Sequence, residues 1–130
     1  MAINLNIAVN QALGEMSYLV SKKQASIIRN QLPSLDVELR DIKRVFYLLL
    51  YNVISSGGGL TTPRVEISSM RDLNKENWVI EIQSNVTKLN GPLLKEATSA
   101  VNKLGGLLEY TTKHRGSFIL FTLPYNKVSV

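Results

Sequence analysis

The chain has 130 residues, of which 45% are hydrophobic and 19% charged; it contains no cysteine and carries a formal net charge of +5 at pH 7. This length and composition fit one folded domain, and the absence of cysteine excludes disulfides, thiolate nucleophiles and cysteine zinc sites. The first residues lack the basic start and apolar run of a signal peptide, and the apolar stretch at 45–51 is far shorter than the roughly 20 residues that span a bilayer. We therefore expect a cytoplasmic protein without membrane association, organised as a single domain over residues 1–130.

In the first half of the chain, the apolar spacing predicts a helix over residues 8–23, a strand over 25–29 and a second helix that ends near residue 55. Asp36 is the predicted N-cap of the second helix, because its carboxylate can accept the free amide hydrogens of the first turn. The glycines at 57–59 are predicted to end this helix, since glycine adopts positive φ without strain. At 100° per residue, the core-facing positions of the second helix are Leu39, Ile42, Phe46, Leu49 and Val53.

The second half of the chain is predicted to fold as two hairpins separated by a helix. The four strands are predicted over residues 64–70, 78–83, 107–112 and 117–123. The helix between the hairpins ends at Gly105-Gly106, and its predicted apolar face consists of Leu93, Leu94, Ala97, Val101 and Leu104. Because each helix has one apolar face, the order α, β, α, β, β, α, β, β predicts an α+β fold. Its helices would pack on a mixed, mostly antiparallel sheet as a two-layer α/β sandwich.

Three segments of the chain carry short motifs in a fixed order: residues 3–33, the helix that contains Asn52, and residues 104–124. In this order they resemble the ATP-binding domain of sensor histidine kinases, also called the GHKL or Bergerat fold. The opening, from Ile3-Asn4-Leu5-Asn6 to Leu32-Pro33, is similar to the lead-in of the phytochrome-type kinases. The helix containing Asn52 resembles the helix that carries the family's N box. The end of the chain, from Leu104-Gly105-Gly106-Leu107 to the segment 116–124, resembles the motif that closes these domains. The resemblance covers nearly the whole chain and implies the Bergerat fold.

The same resemblance identifies departures at the positions where the family binds ATP. Two asparagines on the family's N-box helix project into the nucleotide pocket, and the second helps to hold Mg²⁺. Here the second position is Asn52 and the first is Leu48. The family's Asp-x-Gly-x-Gly motif is replaced by the segment 84–88, in which Asn85 is the one possible adenine acceptor, one residue out of place. Residues 89–92 lead almost directly into the next helix, which leaves no room for an ATP lid or a second glycine box.

These departures predict a degenerate nucleotide site, with Asn52 and Asn85 as remnants of ATP and Mg²⁺ binding. One asparagine cannot hold Mg·ATP, because a triphosphate needs several amide donors and a metal to offset its charge. With a single histidine, His114 in a predicted surface turn, and no cysteine, the chain has no Cys–His pair and no two-histidine metal site. We expect no catalytic residue, no metal site and no cofactor.

A possible protein-binding surface lies on the second helix, opposite its core-facing residues. Arginine and tyrosine contribute most to binding energy at protein interfaces, and both occur here at helical spacing. The predicted surface consists of Arg40, Arg44, Tyr47 and Tyr51, with Leu48 alongside. Such a surface suits an acidic partner, for example a response regulator or an acidic face of a kinase. The alternative is an ordinary solvated helix face.

Three functions remain open from the sequence. The first is a non-catalytic signalling module that binds a histidine kinase, a response regulator or another copy of itself. The second is a residual ATP-binding domain of a histidine kinase, either part of a longer kinase or acting with a partner that completes the site. The third is a nucleic-acid-binding module, which the isoelectric point near 9.6 would favour, although no known reading motif accompanies it.

Overall fold

The computed structural model describes residues 2–57 and 62–124. The helices are α1 (Leu5–Glu15), α2 (Ser17–Lys23), α3 (Leu39–Ser56) and α4 (Gly91–Lys103). The strands are β1 (Ile3–Asn4), β2 (Ser26–Arg29), β3 (Ser34–Leu35), β4 (Arg64–Asp72), β5 (Asn77–Ser84), β6 (Leu108–Lys113) and β7 (Gly116–Pro124). Within these residues, no helix combines the length and the apolarity that crossing a membrane requires.

The main sheet has five strands in the order β2-β4-β5-β7-β6. β2 pairs parallel with β4, and the remaining pairings in this sheet are antiparallel. The helices pack on one face of the sheet. There Phe46 of α3 meets Phe121 of β7 edge to face, with ring centroids 5.7 Å apart. The predicted two-layer α+β fold with a mixed, mostly antiparallel sheet is confirmed.

The core-facing residues of α3 lie where the 100° periodicity predicts them. Ile42, Phe46, Leu49 and Val53 are fully buried, and Leu39 at the start of the helix is partly buried. Val45, Leu50 and Ile54 are also fully buried, so α3 is covered over a wider arc than the predicted stripe. A helix buried over such an arc must contact other elements besides the sheet.

The predicted helix over residues 8–23 is in fact two helices. It begins earlier, at Leu5, because the Asn4 Oδ1 caps it by accepting a hydrogen bond from the Asn6 N–H at 2.9 Å. It is interrupted at Met16, whose φ of −120° and ψ of 27° are not helical. The Met16 side chain is buried, so this break keeps an apolar residue in the core while the chain changes direction.

The prediction that Asp36 caps α3 is wrong. The N-cap residue is Glu38, and its side chain makes no capping hydrogen bond. The chain is extended just before Asp36, since Ser34 and Leu35 pair with β1 in a short antiparallel ladder that the sequence did not reveal. The Val37 N–H then bonds to the Leu35 carbonyl oxygen at 3.0 Å, which delays the start of the helix.

The glycines after α3 and α4 have different roles. Gly57 has a φ of −68°, so the predicted positive φ is wrong for this residue, and Gly58 and Gly59 lie outside the described residues. The Gly57 carbonyl oxygen accepts a hydrogen bond from Lys23 Nζ at 2.6 Å. After α4, Gly105 adopts a φ of +86°, which ends the helix in the way glycine favours. A Cβ on Gly106 would collide with the Thr122 carbonyl oxygen, so only glycine fits there.

Candidate functional site

Helix α4 packs antiparallel against α3 and contacts it at two points. Near the start of α3, Arg44 Nη2 lies 3.2 Å from Glu96 Oε1. Two turns later, Asn52 contacts the backbone of Asn90. Leu48 lies midway between them at i+4 spacing, so it faces α4, and its exposed fraction is 6%. Both positions that correspond to the N-box asparagines, Leu48 and Asn52, are therefore covered by α4.

The side chain of Asn52 is fully buried, and both of its polar atoms are hydrogen-bonded. Its Nδ2 donates to the Asn90 carbonyl oxygen at 2.9 Å, and its Oδ1 accepts from the Asn90 N–H at 2.7 Å. The same Oδ1 accepts a third bond from Ser56 Oγ at 3.2 Å. A side-chain amide offers one acceptor and one donor group, so it can pair with both backbone groups of a single residue. In this arrangement both lone pairs of Oδ1 are occupied, and none remains for a metal ion.

Asn90 is also the residue that begins α4. Its own Oδ1 accepts from the Leu93 N–H at 3.0 Å, which caps the helix, and Pro92 occupies the first turn. The side chain of Asn90 thus organises α4 while its backbone is held by Asn52. Because residues 85–90 are all that connects β5 to α4, the Asn52–Asn90 contact fixes the start of α4 against α3.

Asn85, the second predicted remnant, is likewise bonded to backbone. Its Oδ1 accepts from the Arg64 N–H at 2.8 Å, and its Nδ2 donates to the Thr62 carbonyl oxygen at 2.9 Å. These bonds continue the β4–β5 pairing beyond the last residue of β5. Next to it, Ser84 Oγ bonds to Ser117 Oγ at 2.6 Å and accepts from the Val86 N–H at 3.2 Å. The segment that corresponds to the Asp-x-Gly-x-Gly motif is therefore a hydrogen-bonded connector.

In the part of the chain that is described, no group of three or more His, Asp or Glu side chains is arranged to hold a metal ion. His114 is exposed in the turn between β6 and β7, as the sequence predicted.

The structure brings together four of the five residues predicted to bind a partner. Arg40 and Arg44 are exposed, and the rings of Tyr47 and Tyr51 stack with centroids 5.8 Å apart. Tyr47 is half-buried against the core, whereas Tyr51 is 37% exposed. The prediction for Leu48 is wrong, because Leu48 belongs to the face of α3 that α4 covers and is not part of this surface.

A groove of about 480 Å³ adjoins this surface, between the start of α3 and the ends of α1 and α4. Its lining contains four cations and two carboxylates, together with a tyrosine ring: Glu15, Arg40, Asp41, Lys43, Arg44, Tyr47 and Lys103. Lys43 Nζ lies 2.8 Å from Glu15 Oε2, and Arg40 is 87% exposed although its Nε lies 3.6 Å from Asp41 Oδ1. Lys103 was not predicted, because only the antiparallel packing of α4 brings its last turn beside the first turns of α3.

Solved structures of histidine kinases share this fold. The histidine kinase AdeS of Acinetobacter baumannii superposes with a TM-score of 0.78 at 16% identity, over 98% of this chain and 68% of that chain. The nucleotide-free catalytic domain of histidine kinase ThkA gives 0.74 at 13% identity, with 96% and 95% of the chains covered. ThkA in complex with the response regulator protein TrrA gives 0.77 at 14% identity, with 100% and 43% covered.

The resemblance to histidine kinase ATPase domains is therefore confirmed for the fold. At these identities the likeness concerns the fold alone. No protein-family model matches the chain, and no curated protein is significantly similar to it in sequence.

Proposed function

We propose that this chain is a non-catalytic signalling module of two-component type, in which an internal contact has replaced the nucleotide site of a histidine kinase-like domain. The module spans residues 1–130 as one domain without an ATP lid or glycine boxes, and it acts by binding a protein partner. The observation that supports this most strongly is the buried Asn52 amide, which is bonded to the backbone of Asn90 beneath α4.

The interface between α3 and α4 opposes nucleotide binding in three ways. Both lone pairs of Asn52 Oδ1 are used within the protein, so a metal ion would have to displace two hydrogen bonds. The position of the other N-box asparagine holds the apolar Leu48, which offers no ligand. Separating α4 from α3 to admit a nucleotide would expose Leu48 and leave the Asn52 amide without its partners, and both changes cost free energy.

A protein partner is favoured by the surface of α3. Arg40 and Tyr51 are exposed residue types that contribute strongly to interfaces, and the adjoining groove has more cations than carboxylates. An acidic surface would complement it. The solved complex of ThkA with a response regulator supports a partner of the two-component class, a response regulator or a histidine kinase.

Nucleotide binding is tested by a thermal shift assay with Mg·ATP, Mg·ADP and a non-hydrolysable analogue. We expect no change in melting temperature, whereas a ligand at 100 times its Kd would add about 2.7 kcal/mol of stability. A histidine kinase catalytic domain with an intact N box serves as the positive control. A rise in melting temperature that requires Mg²⁺ would contradict the proposal and return the chain to the ATP-binding domains.

Partner binding is tested by calorimetry against the response regulators and histidine kinases encoded in the same genome. For a partner found in this way, we expect Arg40→Glu to weaken binding about tenfold or more, since it reverses the most exposed charge of the surface. Tyr51→Ala should also weaken binding, and Arg29→Glu on β2 is the control with the same change in net charge. If Arg29→Glu weakens the binding of that partner as much as Arg40→Glu does, the interface lies elsewhere on the molecule.

A further inference from the structure

The strand β6 forms an open edge of the main sheet. It pairs with β7 on one side and, among the described residues, with no strand on the other. Five of its six residues are exposed. An unpaired edge presents a row of free N–H and C=O groups to which another strand can add.

The pairing with β7 determines which backbone groups point outward. The Thr122 N–H donates to the Leu107 carbonyl oxygen at 2.9 Å, so this pair is of the hydrogen-bonded kind. Because such pairs alternate along an antiparallel ladder, the backbone groups of Glu109, Thr111 and Lys113 face β7. The N–H and C=O groups of Leu108, Tyr110 and Thr112 therefore face the open edge.

The side chains of β6 complement a second copy of the same strand. Glu109, Thr111 and Lys113 lie on the sheet face away from the helices and are all exposed. Neither Glu109 nor Lys113 has an ion-pair partner in the described part of the chain. We propose that β6 pairs antiparallel with β6 of a second copy in a register centred on Thr111, which joins two five-stranded sheets into one.

In this register Glu109 of each copy lies directly opposite Lys113 of the other, so a two-fold axis generates two ion pairs. These are non-hydrogen-bonded positions, where the side chains approach most closely, and opposite charges facing each other there are stabilising. A register centred on Tyr110 would place Glu109 opposite Thr111 and form no ion pair. The charges thus select one register among those that the outward backbone groups allow.

On the opposite face of the paired strands, the side chains that face each other are also compatible with this register. Tyr110 would lie across from Thr112 of the second copy, and pairs of aromatic and β-branched residues are favourable in sheets. Tyr110 is 51% exposed and Leu107, just before the strand, is 68% exposed, so association would remove apolar surface from water. The interface uses no residue of the surface on α3, so the dimer does not depend on the proposed partner binding.

Sedimentation velocity over a wide concentration series at low salt tests the pairing. We expect the species to pass from 14.5 kDa to twice that mass as concentration rises. Glu109→Lys or Lys113→Glu alone should abolish the dimer, because like charges then face each other, and the double reversal should restore it. Glu66→Lys on β4 and Arg29→Glu on β2 change the net charge equally and should leave the dimer intact. A wild-type chain that is monomeric throughout, or a double reversal that fails to dimerise, overturns the proposal.

Amide hydrogen exchange at high and low protein concentration gives an independent readout. In the dimer the outward N–H groups of Tyr110 and Thr112 become bonded, so their exchange should slow as concentration rises. The Thr111 N–H already faces β7 and should not change. Concentration-dependent protection of residues elsewhere, without protection of Tyr110 and Thr112, would contradict the β6 interface even if a dimer forms.

Discussion

The two contacts that join α3 to α4 differ in chemistry and in exposure. The Asn52–Asn90 contact is formed by a fully buried amide that pairs with backbone groups at 2.7 and 2.9 Å. The Arg44–Glu96 contact is an ion pair at 3.2 Å whose side chains are 59% and 53% exposed. Although a salt bridge is formally the stronger interaction, exposed pairs are screened by water and contribute little.

This difference indicates which half of the α3–α4 interface is structural. Around Asn52, a lost partner would leave buried polar groups without hydrogen bonds, which costs more than the bond itself contributes. If the ion pair between Arg44 and Glu96 is lost, both exposed charges can be hydrated by water instead. The half of the interface near Asn52 thus holds α4 in place. The half near Arg44 can lose its ion pair at little cost, which is compatible with the proposed partner binding there.

The largest expected effect is that of Asn52→Ala. This change removes three hydrogen bonds from a buried position and leaves a cavity, so we expect the free energy of unfolding to fall by about 2–4 kcal/mol. Urea denaturation followed by circular dichroism measures it. Asn102→Ala, at an exposed position on α4, is the matched control and should have a small effect. If Asn52→Ala lowers the free energy of unfolding no more than Asn102→Ala does, the Asn52 amide does not hold α4.

An intermediate effect is expected for Asn90→Ala. This variant measures the contribution of the helix cap apart from that of the contact between the two helices. The change removes the capping bond to the Leu93 N–H but keeps the backbone groups to which Asn52 bonds. The loss in unfolding free energy should therefore be about 1 kcal/mol, and Asn90→Ser should recover most of it. If Asn90→Ala were as destabilising as Asn52→Ala, the cap would be the main determinant of this helix start.

The smallest effect is expected for Arg44→Ala. Because the ion pair with Glu96 is exposed, its loss should change the free energy of unfolding by no more than about 1 kcal/mol. A double-mutant cycle with Glu96→Ala isolates the pair itself, and the coupling should decrease further when salt is added. A coupling energy comparable to the Asn52 effect would remove the distinction between the two halves of the interface.

The sequence predicted the secondary structure well wherever the evidence was local. The buried positions of α3 and the two hairpins follow from periodicities of 3.6 and 2 residues, which depend on near neighbours in the chain. The resemblance to histidine kinases supplied the fold. The errors occurred where a distant segment intervened, as at Asp36, where pairing of Ser34 and Leu35 with β1 displaced the start of the helix.

The sequence named candidate site residues but could not give their contacts. The sequence identified Asn52 as a remnant of a metal ligand, and its amide has no free acceptor in the folded chain. It placed Leu48 beside a surface, whereas α4 covers it. Nothing in the local pattern distinguishes an asparagine that binds Mg²⁺ from one that binds a backbone 38 residues later.

The sequence by itself therefore determined the elements, the apolar face of each helix and the residue types at the positions that resemble the N box. Only the tertiary structure decided that α4 lies directly on Leu48 and Asn52, that Lys103 joins the groove beside Arg40, and that β6 pairs on one side only among the residues described. The physical reason is that element formation depends on local spacing, whereas burial and pairing of polar groups depend on which distant segments are brought together.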